Sequence, residues 1–447
     1  MMKTRGLIAL VLLAALILAG PASAGILKDY VGKSDDSYKY AVHSTLPVQQ
    51  STAYIVRMTS QTWHGLTWDH WVAIFKPENV KYPDKALLFI GGGDNTEEAP
   101  DLRDQESQVL AMIAGHTHAV VARIWQVPNQ PLFDGKYEDA IIAYTFERFG
   151  RGEGDDWPLL LPMVKSAVRA MDTVQSVARE KWEQDIKQFM VTGASKRGWT
   201  TWLTAAADPR VAAIAPMVID MLNMGPQMAH QKKCYGGYSE QVADYTELKI
   251  QDYLQTPAGK KLSDIVDPYS YRDQLALPKT IILGTNDEYW TVDSAKFYFN
   301  DFPGPKWIHY EPNAGHGLNL NIVPVVAAQF HAMLTGGSMP HLEWKFVNGH
   351  SLQVSWDDPE ATAALWHAQA PTRDFRKARW VSSELIGKCT ASVGLTKPET
   401  GYAAYFVAIT FPLKLENAIF PFSLTTLTYV LPDTYQSFDE HPDDGKK

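Results

Sequence analysis

Cysteine is nearly absent from the chain, with two residues, Cys234 and Cys389, among 447. That scarcity excludes a disulfide-stapled scaffold and a cysteine-rich metal site, and two isolated thiols are expected rather than a bridge. A surplus of positive charge is also missing. Lys and Arg number 41 against 50 Asp and Glu, a formal balance of −9, so no nucleic-acid partner is expected. Internal repeats and low-complexity segments are lacking. The longest apolar run near the start covers residues 7–19, shorter than the ~20 residues that cross a bilayer comfortably. What remains is ordinary for a globular protein: 45% hydrophobic and 20% charged residues, 30 Gly and 27 Pro, with 14 Trp as the less usual count. The length suggests two or three domains.

The N-terminus reads as an export signal. Met1-Met2-Lys3-Thr4-Arg5 is a positive n-region, the short apolar run follows, and Ala22-Ser23-Ala24 offers the small residues a signal peptidase reads. No Cys follows it, so neither a lipoprotein linkage nor a stable membrane anchor is expected. The protein is expected to be exported, periplasmic or extracellular, with residues 1–24 removed.

Beyond the signal, strands are expected within residues 40–75. Ala86-Leu87-Leu88-Phe89-Ile90, ending at Gly91-Gly92-Gly93, and Ala119-Val120-Val121-Ala122-Arg123-Ile124 are continuous apolar runs, as strands buried on both faces of a parallel sheet are. Between them, residues 103–114 read as helix. Residues 158–179 keep i, i+3, i+4, i+7 apolar spacing and predict an amphipathic helix. Phe189-Met190-Val191-Thr192 predicts a strand and residues 199–207 a helix, followed by strands at 211–219 and 280–283. The roughly 60 residues between those two strands exceed the ~2–6 of a normal connection, so an inserted cap at about 220–278 is expected. After Leu334 the pattern changes to about seven short alternating segments between turns, ending with 403–410 and 422–431, which suggests an immunoglobulin-like β-sandwich. The expected fold class is α/β, a doubly wound, mostly parallel sheet. It would occupy residues 25–334, with the sandwich at 335–432 and a polar tail at 433–447.

The sharpest chemistry lies at Thr192-Gly193-Ala194-Ser195-Lys196-Arg197-Gly198, between a predicted strand and a predicted helix, where a nucleophile elbow belongs. The usual second glycine stands two residues after the serine; here that position is Arg197 and the glycine comes one later. A nucleophilic serine needs a base, and the base needs a carboxylate to fix its tautomer. In α/β-hydrolases these follow in the order serine, acid, histidine, each after a strand. Ile281-Ile282-Leu283 leads to Asp287, and Trp307-Ile308-His309-Tyr310 leads to Asn313-Ala314-Gly315-His316-Gly317. Ser195, Asp287 and His316 are therefore the candidate catalytic residues, with Asp293 and Asp301 as reserve acids and His309 a poorer base. The expected oxyanion hole combines the backbone N–H of Lys196 with that of Gly92 or Gly93. The Gly91–Gly93 loop lacks the Gly-Lys-Ser/Thr of a phosphate cradle. Asp94, Asn95 and Trp290 are candidate substrate-binding residues.

Several stretches, among them Met58-Thr59-Ser60-Gln61-Thr62-Trp63, Gly91-Gly92-Gly93-Asp94-Asn95, Gln126-Val127-Pro128-Asn129-Gln130-Pro131, Glu138-Asp139-Ala140 and residues 193–202, resemble the PhoPQ-activated pathogenicity-related protein family. The likeness runs over roughly residues 51–320. It implies an exported α/β-hydrolase-like protein with Ser195 as nucleophile, Asp287 as acid and His316 as base, and it supplies no substrate. The family's acid loop often reads Gly-Asp-Glu-Phe, which makes Glu288 a rival to Asp287.

Other features stay open. The pairs His116/His118 and His64/His70 lack a third ligand at standard spacing, so structural histidines are expected, with no metal and no cofactor. Lys196 and Arg197 suit either an anionic substrate or a solvated helix start in which they pair with acids. The sequence-level expectation is a secreted serine hydrolase, esterase or peptidase, acting through an acyl-enzyme on a small-molecule or peptide ester or amide. A carbohydrate esterase and an aminopeptidase-like serine peptidase remain open within it, and a catalytically silent interaction protein on the same fold is the alternative.

Overall fold

The computed structural model describes residues 24–415 and 418–438, so the export signal up to residue 23 and the end of the polar tail lie outside the described residues. Nine strands form one sheet: β1 (Lys39–Val48), β2 (Ser51–Trp63), β3 (Leu66–Pro77), β4 (Lys85–Ile90), β5 (Val120–Ile124), β6 (Gln188–Ala194), β7 (Val211–Met217), β8 (Lys279–Gly284) and β9 (Lys306–Glu311). Their spatial order is β1-β2-β3-β5-β4-β6-β7-β8-β9. The first three run antiparallel, β3 meets β5 antiparallel, and from β5 through β9 every pairing is parallel. β5 and β8 are buried along their whole length, which is why they read as unbroken apolar runs.

Alternate residues of these strands enter two cores. Leu88, Ile90, Val191, Ile281 and Leu283 face the helices Leu160–Trp182 and Lys196–Ala207. Leu87, Met190, Ala213 and Ile282 face the helices Gln105–Thr117 and Val323–Thr335. The strand period of two thus divides one sheet between two cores. No helix among the described residues is long and apolar enough to cross a membrane.

Two expectations need adjusting in this part. The helix after β6 starts at Lys196, not at residue 199, because Ser195 turns the chain within one residue. A helix not foreseen, Glu138–Gly150, follows β5. Between β7 and β8 the chain forms the helices Met224–Tyr235, Ala243–Glu247, Ile250–Tyr253 and Pro257–Val266.

After the last of the sheet's helices come two antiparallel sheets. Three strands, β10 (Leu342–Val347), β11 (Ser351–Trp356) and β14 (Thr390–Gly394), form one; β12 (Thr362–Ala370), β13 (Val381–Leu385), β15 (Tyr402–Leu415), β16 (Ala418–Thr425) and β17 (Tyr429–Leu431) form the other. The sequence pattern 422–431 is two strands, not one. Thr426 leaves the ladder to bond Val407 through both its backbone and its hydroxyl, and Tyr429 then re-enters opposite Tyr405. β15 does not alternate either. Its residues Tyr405, Val407 and Ile409 pack with Leu352 and Trp356, while Ala404 and Phe406 pack with Tyr310 and Trp380, so both faces are buried. β16 lies against β9, where Thr425 Oγ1 accepts from the Tyr310 N–H at 3.3 Å and Ser423 O meets His309 Nδ1 at 2.8 Å. That contact covers the open edge of the nine-stranded sheet.

Candidate active site

β6 delivers Ser195 at the carboxyl end of the sheet, and the chain enters the next helix at once. Ser195 has φ 59° and ψ −125°, a conformation rarely adopted by a residue with a Cβ. Its N–H bonds to Met217 O at 2.9 Å on the neighbouring strand, which holds the turn in place. The shifted glycine has a reason: a Cβ on Gly198 would stand 2.6 Å from Met217 O, so the helix seats against β7 only with glycine there.

The acid and histidine loops are fastened together before they reach Ser195. Asn286 N–H donates to Ala314 O at 2.9 Å, and Asn313 N–H donates to Thr285 Oγ1 at 2.8 Å. From these loops His316 Nδ1 meets Asp287 Oδ2 at 2.9 Å and Oδ1 at 3.0 Å, while Nε2 meets Ser195 Oγ at 2.8 Å. Asp287 Oδ1 also accepts from the Tyr289 N–H at 2.9 Å, and the side chain is 5% exposed. Glu288 points elsewhere: its Oε2 accepts the His316 backbone N–H at 2.8 Å, so it holds the loop and not the ring. Tyr289 lies with its ring centroid 4.2 Å from that of His316.

The reserve acids have other partners. Asp293 is buried with His230, Lys296 and Arg373. Burial alone would raise its carboxyl, but His230 and the two cations hold it well below the usual range. Asp301 accepts from the Tyr269 hydroxyl, and His309 bonds Glu311 Oε2 at 3.1 Å.

Lys196 and Arg197 pair with acids, as the second reading has it, but their side chains are largely buried and not solvated. Lys196 Nζ lies 2.7 Å from Asp139 Oδ2, and Arg197 donates Nη1 and Nη2 to the two oxygens of Glu138 at 2.8 and 2.5 Å. Burial pushes the Glu138 carboxyl up, but Arg197 and Lys196 outweigh it and hold it below the usual carboxylate range. Both acids come from the unforeseen helix and carried no local signal beyond their place in a family-like stretch. The Arg197 guanidinium passes directly over Gly92, leaving no room for a Cβ. Lys196 is the first residue of its helix, so its backbone N–H has no partner within the helix. Gly92 follows β4 and accepts from Gln126 N–H at 2.9 Å, and Gly93 has φ 117°.

Ser195 and His316 open onto a cavity bounded by Phe146, Trp199, Tyr289 and Trp290 and, on its far side, by Met224, Met228 and Leu254 from the segment between β7 and β8. Trp290 lines it. Asp94 and Asn95 do not: both are exposed and pair with Gln130, with Asn95 N–H donating to Gln130 O at 2.5 Å. The remaining tryptophans divide. Trp63 and Trp68 are core residues, and Trp199 lines the cavity while its Nε1 bonds Val266 O.

His70 is fully buried between Ser60 Oγ and Trp125 O, and burial pulls its pKa down to about 4. His64 stacks on Trp157 at 4.1 Å. Among the described residues, no group of three or more His, Cys, Asp and Glu is placed to hold a metal ion. Cys234 and Cys389 are both free.

The family described as PhoPQ-activated pathogenicity-related protein matches residues 27–376. A Dictyostelium discoideum protein described as autocrine proliferation repressor protein A is 31% identical over a 469-residue alignment covering 95% of this chain and 94% of that one. Among solved structures, acetyl xylan esterase 1 from Thermoanaerobacterium sp. JW/SL YS485 is 15% identical, covers 70% of this chain and 94% of its own, and superposes with a TM-score of 0.50. An acetyl xylan esterase from Paenibacillus sp. R4 is 13% identical over 70% of this chain and 93% of its own, with a TM-score of 0.49. Together with the strand order, the likeness to the Thermoanaerobacterium esterase shows the α/β-hydrolase fold.

Proposed function

Because the chain belongs to the PhoPQ-activated pathogenicity-related protein family, a description that specifies no reaction, we propose that it is an exported serine hydrolase cleaving an ester or amide bond. One observation carries this reading: a serine strained at φ 59° on a strand-to-helix turn, 2.8 Å from an imidazole that Asp287 holds at 2.9 Å. Ser195 Oγ attacks the substrate carbonyl, and His316 takes its proton. The new Oγ–C bond gives a tetrahedral oxyanion, and its collapse breaks the bond to the leaving alcohol or amine as His316 gives the proton to that group. Water then attacks the acyl-enzyme by the same route and frees Ser195. Asp287 fixes the proton on Nδ1, leaving Nε2 able to accept. The Lys196 N–H and an N–H of the Gly92–Gly93 loop hold the oxyanion.

In this reading the segment at about 220–278 is a cap over the site, residues 25–334 are the hydrolase unit, and the two antiparallel sheets at 335–432 form an immunoglobulin-like sandwich. A fluorophosphonate probe tests the reaction. Wild type is expected to be labelled and Ser195→Ala not; a folded wild type that takes no label refutes the hydrolase.

A second reading, an interaction protein without turnover, is favoured by one finding: the 31% identical relative is described as a proliferation repressor. Absence of labelling combined with an intact fold is what that reading expects.

A further inference from the structure

Taking the hydrolase reading as its basis, the cavity beside Ser195 identifies a class of substrate. The wall is apolar on nearly every side, with Phe146, Trp199, Met224, Met228 and Leu254 facing in. The lining runs from Ser195 and His316 to Met224, Met228 and Leu254 of the segment between β7 and β8. The methionines bring adaptable, unbranched side chains that mould to an apolar guest. Two residues of this wall each carry a buried polar atom without a protein partner. Gln251 is 5% exposed, spends its Nε2 on Thr246 Oγ1 at 3.1 Å, and its Oε1 is buried without a protein partner. Trp290 Nε1 is likewise buried and unpartnered. Both residues line the cavity.

An alkyl chain filling this space would leave both atoms unpaired, and an unmade buried hydrogen bond is costly. A secondary amide offers what is missing: an N–H for Gln251 and a carbonyl oxygen for Trp290 Nε1. A free α-amino group finds no such welcome. The carboxylate in the cavity, Asp139, already accepts from Lys196 at 2.7 Å, from the Tyr245 hydroxyl at 2.8 Å and from the Tyr289 hydroxyl at 3.4 Å.

We propose that the cavity receives a hydrophobic aminoacyl group whose amine is acylated, the apolar side chain filling the space and the amide bonding Gln251 and Trp290. The bond cleaved is the ester or amide on the carbonyl side of that residue. Attack by Ser195 gives the N-acyl-aminoacyl enzyme and releases the alcohol or amine with the proton carried by His316.

The mature protein is assayed on p-nitrophenyl esters of N-acetyl-leucine, leucine, octanoic acid and acetic acid. The N-acetyl-leucine ester is expected to exceed the octanoate in kcat/KM by about tenfold or more, the value of one buried hydrogen bond left unmade. Gln251→Leu and Trp290→Phe each lower that ratio, because each keeps the apolar bulk and removes one polar atom. An octanoate preference overturns the proposal in favour of a lipid acyl group. A preference for free leucine overturns it in favour of amine recognition, and acetate as the fastest substrate means that the cavity is not used. Calorimetry on Ser195→Ala with N-acetyl-leucinamide against octanamide reads the cavity without turnover. If no ester is cleaved and no fluorophosphonate label forms, the hydrolase reading fails, yet tighter binding of N-acetyl-leucinamide still supports the amide site. Equal or weaker binding than octanamide overturns it.

Discussion

Replacing Asp287 and Glu288 one at a time separates two neighbouring carboxylates by what each touches. Asp287 meets His316 Nδ1 with both oxygens, at 2.9 and 3.0 Å. In Asp287→Asn an amide N–H faces Nδ1, which drives the ring proton to Nε2. There it points at Ser195 Oγ, 2.8 Å away, and the base becomes a donor where an acceptor is needed. A wrong tautomer with intact geometry lowers kcat by about 10⁴ in serine hydrolases, or about 5 kcal/mol of barrier. Glu288 accepts only the His316 backbone N–H, at 2.8 Å. In Glu288→Gln the amide oxygen still accepts it, and only the charge assistance is lost. That difference is about 1 kcal/mol, or less than about tenfold in rate. The assay is kcat for p-nitrophenyl ester hydrolysis, with thermal unfolding to confirm that both variants fold. A Glu288→Gln loss as large as that of Asp287→Asn, or an Asp287→Asn loss below tenfold, refutes the assignment.

Other consequences concern stability. Ser195→Gly relieves the φ 59°, ψ −125° backbone, so it is expected to abolish labelling while raising the unfolding free energy by about 1–3 kcal/mol; a lower unfolding temperature contradicts stored strain at this turn. His70, with its pKa pulled down to about 4 by burial, stays neutral in the fold while the unfolded chain takes up a proton below its ordinary pKa of 6.5. Its share of stability is therefore present above pH 6.5 and declines by about 1.4 kcal/mol per pH unit toward 4. Urea unfolding across that range should show a shallower decline in His70→Gln than in wild type, and parallel curves refute it. Arg373→Met leaves the buried Asp293 with His230 and Lys296 alone, and a loss of about 3–5 kcal/mol is expected in chemical unfolding; a neutral effect means the ion pair is dispensable.

The strands β4, β5 and β8 were legible because each is a short, mostly apolar run, and a run buried on both faces carries that pattern in its own composition. The helix Leu160–Trp182 was legible for a similar reason, its apolar spacing following the helical period. Glu138–Gly150 was not, since its start follows a family-like loop and lacks a side-chain cap. β15 misled because alternation marks a strand with one face in solvent, and both of its faces are covered. Asp94 and Asn95 misled because a position just after a strand says nothing about which way the next peptide turns.

The sequence by itself placed Ser195, Asp287 and His316 on three turns at strand ends, in an order that suits a hydrolase, and its two cysteines and net acidic charge are not those of a cysteine-stapled or strongly basic protein. Local pattern suffices for that, because burial and turn chemistry act within a few residues. Only the tertiary structure decided which carboxylate meets the imidazole, that Glu138 and Asp139 take up the charges of Arg197 and Lys196, and that the serine opens onto an apolar cavity lined in part by two residues that each bury an unpaired polar atom. Those outcomes depend on distances between side chains remote in sequence, and a few tenths of an ångström separate a hydrogen bond from a mere neighbour.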